Sequence, residues 1–440
     1  FSTYNKHKYM IRISVLIVLA VFIYGSINSQ DKLSLDLEGA IKYALEHNLS
    51  IKNAGLDIDE ASEKVKETLA AGLPQLNASV DYSNFLGAEI QLRFNPELPP
   101  TTIPFKPTSN LQLSVGQLIF SGSYIIGVQI ANMYRQMMET GYRKSEQDIK
   151  EQVSKTYYMV LVSEKNREIS EKNLQNIKDI YEKTKPMADV GVVEKTDVDQ
   201  LYVQVSLVEN LLISAEAQVE FSYNMLRLQL GTGVEKDIEL TESLEEIIDR
   251  INFETLLFEQ LNINNNLDYQ LLQAQQRITE KQVTFEKMSF LPVVTGYYNY
   301  TEKILKPDFD ISPKNVIGLN VNIPLFSSGM RRAKLNQAKI NMLSFRNNME
   351  LLEEQLLINE KQLKYNLKIA LEQYENQKEN AGVSKRVYEN MKLKYNQGIV
   401  SSLDLTTSNN NYITAEANYI KALMNLLEAD VSLKKLYSSL

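Results

Sequence analysis

Proline is distributed unevenly along this chain, and that distribution limits the fold more than any other feature. Of its 11 prolines, all but Pro186 lie in two windows, residues 74–107 and 292–324. Proline removes a backbone donor and breaks helix interiors. Residues 123–185 and 328–396, which lack it, are therefore predicted as two very long helices. At 1.5 Å per residue such rods approach ~100 Å, too long to bury in a compact domain, so they must pack sideways as coiled coils.

Inside the two proline windows the pattern changes to period two. Four strands are predicted, at 75–84, 110–117, 293–302 and 316–325. Leu76, Ala78, Val80 and Tyr82 alternate with polar neighbours in the first, and Leu111, Leu113 and Val115 in the second. Ile317, Leu319, Val321, Ile323 and Leu325 do so in the last. Residues 293–302 are the least regular, because Val293 and Tyr297 fall on the polar side. A length of about 10 residues suits a tilted strand crossing a bilayer. A soluble sheet with one wet face would alternate in the same way, but the Tyr-rich stretch 297–300 and the proline-rich loops favour the membrane. Four strands cannot close a barrel, and an open edge in lipid costs several kcal/mol per unpaired backbone group, so several copies must share one.

Composition removes most chemistry. There is no Cys or Trp and there are two His, which excludes disulfides, thiolate metal sites and the usual His-based catalytic sets. His7 falls in a targeting segment, and His47, beside an Asn on a helix, reads as a solvated surface residue. Lys6, Lys8 and Arg12 precede an apolar run from Ile13 to Tyr24, the order of a secretory signal peptide assigned to 1–29; a retained anchor is the alternative. Without that segment the net charge of −8 becomes −11, because three cations and no anions leave. An acidic exported chain without basic clusters is not a nucleic-acid binder. No later apolar stretch is long enough for a spanning helix, so any crossing must use strands.

The chain is also written twice. VGQLIFSG (115–122) returns as VNIPLFSSG (321–329), with Val115, Phe120 and Ser121 matching Val321, Phe326 and Ser327. Asn48-Leu49 matches Asn266-Leu267, Leu73-Pro74 matches Leu291-Pro292, and Gly191 and Asp197 match Gly398 and Asp404. Each half reads helix, strand, strand, very long helix, turn, helix. The first repeat spans 30–230, a linker with a short helix 231–250, and the second repeat 251–440. Phe120 and Phe326 mark where strand alternation ends, and Ser121 and Ser327 where a helix cap is wanted. Tyr412, Ala415, Tyr419, Ala422, Leu426, Ala429, Leu433 and Leu436 form a coiled-coil seam; Val205, Val208, Leu212, Ala215, Val219, Ser222, Leu226 and Gln229 mirror it.

No nucleotide loop, nucleophile elbow or metal motif occurs, so no enzyme activity, cofactor or metal is expected. Glu245-Glu246 and Glu353-Glu354 read as solvated helix faces. The turns Asp189-Val190-Gly191-Val192 and Asn396-Gln397-Gly398-Ile399 stand out, because glycine just past a long helix is its usual stop. Asp197 and Asp404 open the next helices, where a carboxylate is favoured and N-terminal capping accounts for both.

In this order, and twice over, these residues resemble the outer-membrane efflux proteins, the TolC-like exit ducts of Gram-negative bacteria. The resemblance runs from about residue 34 to the C-terminus and rests on the Leu-Pro strand starts, the two junction phrases, and the tips GVVEKTDV (191–198) and GIVSSLDL (398–405). It implies a mainly α fold carrying a transmembrane β-barrel: a homotrimer whose copies each give four strands to one twelve-stranded barrel, continued by a periplasmic helical tunnel. It further implies an outer-membrane channel serving an efflux or type I secretion system, joined to a periplasmic adaptor and an inner-membrane pump. Val190, Gly191, Val192, Gln397, Gly398 and Ile399 would touch the adaptor. Asp404, with Asp197, would lie near the periplasmic constriction. Relatives often carry a second Asp where this chain has Thr407, and Asn-Pro where it has Asn48-Leu49. A periplasmic or surface coiled-coil interaction protein is the other class the sequence admits.

Overall fold

The computed structural model describes residues 32–93, 99–306 and 311–440. The expected signal segment, 1–29, lies outside the described residues. The elements run β1 (Leu33–Leu35), α1 (Leu37–His47), α2 (Leu49–Ala70), β2 (Gln75–Ser83), β3 (Glu89–Leu92), β4 (Thr101–Pro104), β5 (Thr108–Phe120), α3 (Gly122–Asp189) and α4 (Lys195–Leu230). There follow β6 (Ile238–Leu240), α5 (Leu244–Arg250), α6 (Phe253–Phe258), a 3-10 turn, α7 (Leu267–Met288), β7 (Val293–Leu305), β8 (Asn315–Asn322), α8 (Met330–Asn396) and α9 (Ser402–Leu436). Helix, two strands, long helix, turn and helix thus occur twice. Among the described residues no helix is long and apolar enough to cross a membrane.

The chain divides into two compact units, each drawing on both halves of the sequence. One comprises residues up to Lys52, Ser145–Leu261 and Asn359–Leu440; the other Asn53–Lys144 and Asn262–Ile358.

The second unit holds a four-stranded antiparallel sheet in the order β2-β5-β7-β8, so the two halves of the sequence meet at its centre, β5 against β7. Leu76 pairs with Val115, Val115 with Tyr298, and Tyr298 with Ile317. Because side chains alternate with period two, that register puts the apolar sets of all four strands on one face. That face is bare: Leu76, Val80, Ile317 and Leu319 are exposed by 66–84%. The opposite face carries Asn77, Ser79, Gln112, Ser114, Asn299 and Asn320, interrupted by Leu118, Val293, Tyr297 and Val316.

The strands differ from expectation at their ends. β5 and β7 each extend to 13 residues, whereas β8 stops at Asn322. Pro324, two residues on, has no N–H for a ladder, so Ile323–Phe326 lie outside the sheet. The loop after β2 contains the extra pair β3–β4, with Ile90 opposite Ile103. Helix α3 runs three residues past Pro186, which falls in its last turn and so costs one terminal hydrogen bond.

In the first unit, segment 231–250 is more than a linker. β6 pairs in parallel with β1, Leu33 opposite Ile238, and Ile238, Leu244 and Ile247 are buried. Gly231 has φ +71°, and a Cβ there would sit 2.6 Å from the His47 carbonyl oxygen, so only glycine fits. Asn48 is buried and donates from Nδ2 to the Gln229 carbonyl at 2.7 Å, while its Oδ1 accepts from Ser50 N. Its counterpart Asn266 caps α7, accepting from Asp268 N and Tyr269 N. The expected seams are buried at Val205, Val208, Ala215, Ser222 and Leu226 on α4, and at Tyr412, Ala422, Leu426, Leu433 and Leu436 on α9.

Candidate functional site

Two helical turns, α3 to α4 and α8 to α9, form the most distinctive surface of the first unit. Each long helix ends in the same way. Val192 N donates to the Met187 carbonyl at 2.9 Å and Gly191 N to that of Ala188 at 3.0 Å. Ile399 N and Gly398 N donate to the carbonyls of Lys394 and Tyr395, both at 2.9 Å. These crossed bonds define a Schellman stop, which needs a left-handed residue. Gly191 at φ +75° and Gly398 at φ +72° supply it. The stop usually buries its flanking apolar side chain, but here Val190, Val192 and Ile399 are exposed by 76%, 66% and 64%. Leu403 is exposed by 61% and Gln397 is also exposed. Each turn thus holds apolar side chains in water instead of burying them against its own helix.

A small core fixes the turns from below. Ile177, Ile180, Leu201, Val205, Val208, Tyr388, Leu405 and Tyr412 pack together. The rings of Tyr388 and Tyr412 stack at 5.6 Å. Burial pushes the Tyr388 hydroxyl up to about 12, so it stays neutral. Across the two halves, Thr184 Oγ1 lies 3.0 Å from Tyr395 Oη, and Gln204 Nε2 donates to Asn410 Oδ1 at 2.6 Å.

The two aspartates do different work. Asp404 belongs to a reciprocal capping box: Asp404 N donates to Ser401 Oγ at 3.2 Å and Ser401 N to Asp404 Oδ2 at 3.1 Å. Asp197 does not cap its own helix, contrary to expectation. The residue at the cap position is Glu194, which makes no side-chain cap bond, and the Asp197 carboxylate instead accepts from Ser402 Oγ of the other turn. Ser402 is almost wholly buried and lies 3.1 Å from Gln200 Oε1. Ser402 was missed from sequence. The signal was there: at the offset that aligns the glycines, Ser401 and Ser402 face Glu194 and Lys195, so the repeat breaks at this point.

The strand-to-helix junctions also diverge. Ser121 caps α3, with Tyr124 N donating to its Oγ at 3.2 Å, and Phe120 is the last residue of β5. Ser327 caps nothing, because α8 begins three residues later at Met330. The extra serine of the second phrase makes a turn there, with Ser328 and Gly329 both left-handed and Met330 N donating to Ser327 O at 2.9 Å. Phe326 is exposed beyond the end of β8.

Among the described residues no group of three or more His, Cys, Asp or Glu could hold a metal. The Ser401 hydroxyl, then its backbone N–H, hold the Asp404 carboxyl below the usual range. A carboxylate depressed by folding stabilises above its unfolded pKa, about 3.9, and that contribution is lost as pH falls through the lower folded value. Amide protection at 402–406 is therefore expected to hold from pH 7 to pH 5 and to drop below pH 4. In Ser401→Ala it should already be low at pH 7. Hydrogen exchange read as protection factors checks this.

The family model described as Outer membrane efflux protein matches residues 40–232 and 260–438. The outer membrane protein TolC of Vibrio cholerae serotype O1 is 22% identical over 323 residues, covering 70% of this chain and 68% of that protein. For TolC of Salmonella enteritidis the identity is 22% over 322 residues, and the match spans 61% of the relative's length. The crystal structure of the Campylobacter jejuni CmeC outer membrane channel superposes with a TM-score of 0.72 at 17% identity, over 92% of this chain and 85% of that one. At that identity the likeness is one of fold.

Proposed function

Because this chain belongs to the outer membrane efflux protein family, we propose that it is the passive exit duct of a tripartite efflux or type I secretion assembly. In this reading three copies join their sheets edge to edge into one barrel, and their helices continue it as a periplasmic tunnel. The turns at Gly191 and Gly398 receive a periplasmic adaptor, which connects the duct to an inner-membrane pump. The energy source lies in the pump, so the duct itself needs no catalytic group.

One observation carries the reading: a four-stranded sheet with an exposed apolar face and two edges, β2 and β8, unpaired among the described residues. In lipid each unpaired edge group costs several kcal/mol. Four strands per copy become twelve in a trimer, an even number that closes. A groove of about 1340 Å³ in the same unit, lined by Ala61, Ile130, Ala131, Tyr134, Met138 and Ile278 and also by the charged Asp57, Glu60, Glu63, Lys64, Lys66 and Glu67, offers room for part of a neighbour's amphipathic helix. A soluble coiled-coil interaction protein would have no use for the exposed sheet face.

In the first unit, the exposed Val190, Val192, Gln397 and Ile399 flank Gly191 and Gly398 as adaptor contacts. Asp404 is exposed and held ionised by Ser401, which suits a constriction that meets solutes. Asp197 is engaged by Ser402 and would tie the two turns together at the constriction rather than meet solutes.

The test is purification from membranes in mild detergent, followed by planar-bilayer recording and adaptor capture. A trimer that conducts and retains an adaptor is expected. A monomer that extracts without detergent would overturn the proposal.

A further inference from the structure

One row on the polar face of the sheet carries an aromatic ring between two glycines. Tyr297 of β7 lies directly between Gly116 of β5 and Gly318 of β8. A Cβ on Gly318 would stand 2.6 Å from both Cζ and Oη of Tyr297. Real atoms do not pack that closely, so the ring lies across the bare Gly318 backbone instead of standing off the sheet. A Cβ on Gly116 would meet nothing within 4 Å, so the floor on the other side of the ring is open. Neither glycine has a positive φ. The backbone therefore does not demand glycine at either place, and the missing side chains are what matter. Glycine inside a strand weakens it and marks a close approach.

The rungs above and below are Ser114–Asn299–Val316 and Leu118–Thr295–Asn320, in which Ser114, Asn299, Thr295 and Asn320 are neutral and able to donate or accept while Val316 and Leu118 are apolar. Tyr297 is the only aromatic on this face among the described strand residues, and 37% of it stays exposed.

We propose that the Gly116–Tyr297–Gly318 row is a stacking site for planar, ring-bearing solutes passing along the polar face. Tyr297 offers one ring face, held flat by Gly318. A second ring can lie over that open face, the bare Gly116 leaves its approach unobstructed, and Ser114, Asn299 and Asn320 offer hydrogen bonds to its rim. Aromatic surfaces stack tolerantly because every planar ring has a π-face, so the site sorts by shape and not by a particular substituent. The proposal rests on the reading of this face as the inner wall of the barrel.

The test uses the full chain and caffeine, a neutral planar probe, with triethylene glycol as the non-planar control. Caffeine binding to the protein in detergent, read by saturation-transfer NMR, should weaken at least fivefold in Tyr297→Ala and stay within twofold in Tyr297→Phe. Triethylene glycol should not distinguish the variants. Gly318→Ala forces the ring off the wall and should lower single-channel conductance, which the Tyr297→Ala/Gly318→Ala double variant restores. Equal caffeine binding by the wild type and Tyr297→Ala overturns the proposal. If the wild type binds caffeine through Tyr297 but never conducts, the channel reading fails and the stacking site stands.

Discussion

Replacing Val192 and Ile399 together by Asp is expected to weaken adaptor capture by about a hundredfold or more while leaving the protein in the outer membrane. Both side chains are exposed on turns whose backbones are set by Gly191 and Gly398, so no core is disturbed. Burying a Val or Ile side chain contributes roughly 1.5–3 kcal/mol, and a tenfold change in affinity is about 1.4 kcal/mol. Two lost contacts, each with a carboxylate to desolvate, therefore remove at least about 3 kcal/mol. The measurement is adaptor retention on the immobilised duct, with export assayed in cells. Undiminished retention in the double variant would remove these turns from the interface. Ser402→Ala separates position from contact: it releases Asp197 and loosens the link between the turns, and a smaller loss is expected with every surface side chain intact.

The second large effect comes from two neighbours on β5. Leu113→Arg is expected to prevent stable insertion, whereas Ser114→Arg should insert normally. Leu113 faces the apolar side, opposite Ala78 and Tyr300; Ser114 faces the polar side, opposite Asn77 and Asn299. A lipid-facing Arg costs about 2–4 kcal/mol near the bilayer midplane, and a trimer repeats that cost in each copy. A polar-face Arg keeps its water and alters only conductance. Outer-membrane fractionation and the urea midpoint of the assembled protein measure both variants. Equal behaviour would mean that the sheet does not present these faces to lipid and water.

Much of this architecture was legible in the residues, for identifiable reasons. Proline and glycine act locally, so the long helices, the two stops and the strand windows could be placed without knowing any tertiary contact. The seam on α9 was legible because a heptad is a local period, and Tyr412, Leu426 and Leu433 are buried as that period requires. Alternation predicted strands at 75–84 and 110–117, and the structure places them at 75–83 and 108–120; their ends were not legible, because the length of a strand depends on its partner. β7 reaches 13 residues because β5 extends beside it; β8 stops where Pro324 withdraws a donor. The pairing of β1 with β6 left no readable trace, since three residues carry no period.

The twin turns divide along the same line. Gly191 and Gly398 announce themselves because a left-handed backbone is a property of one residue and its neighbours. Asp404 is fixed locally by Ser401, three residues before it, whereas the fate of Asp197 depends on Ser402, 205 positions away in the chain and beside it in space. The sequence alone determined the duplicated plan, the helix stops and the alternating strands, because each arises within a few consecutive residues. The tertiary structure decided the strand register that gathers one apolar face, the hydrogen bond that ties the two turns, and the glycine that holds Tyr297 flat. These are contacts between residues far apart in the chain, and only folding brings them within bonding distance.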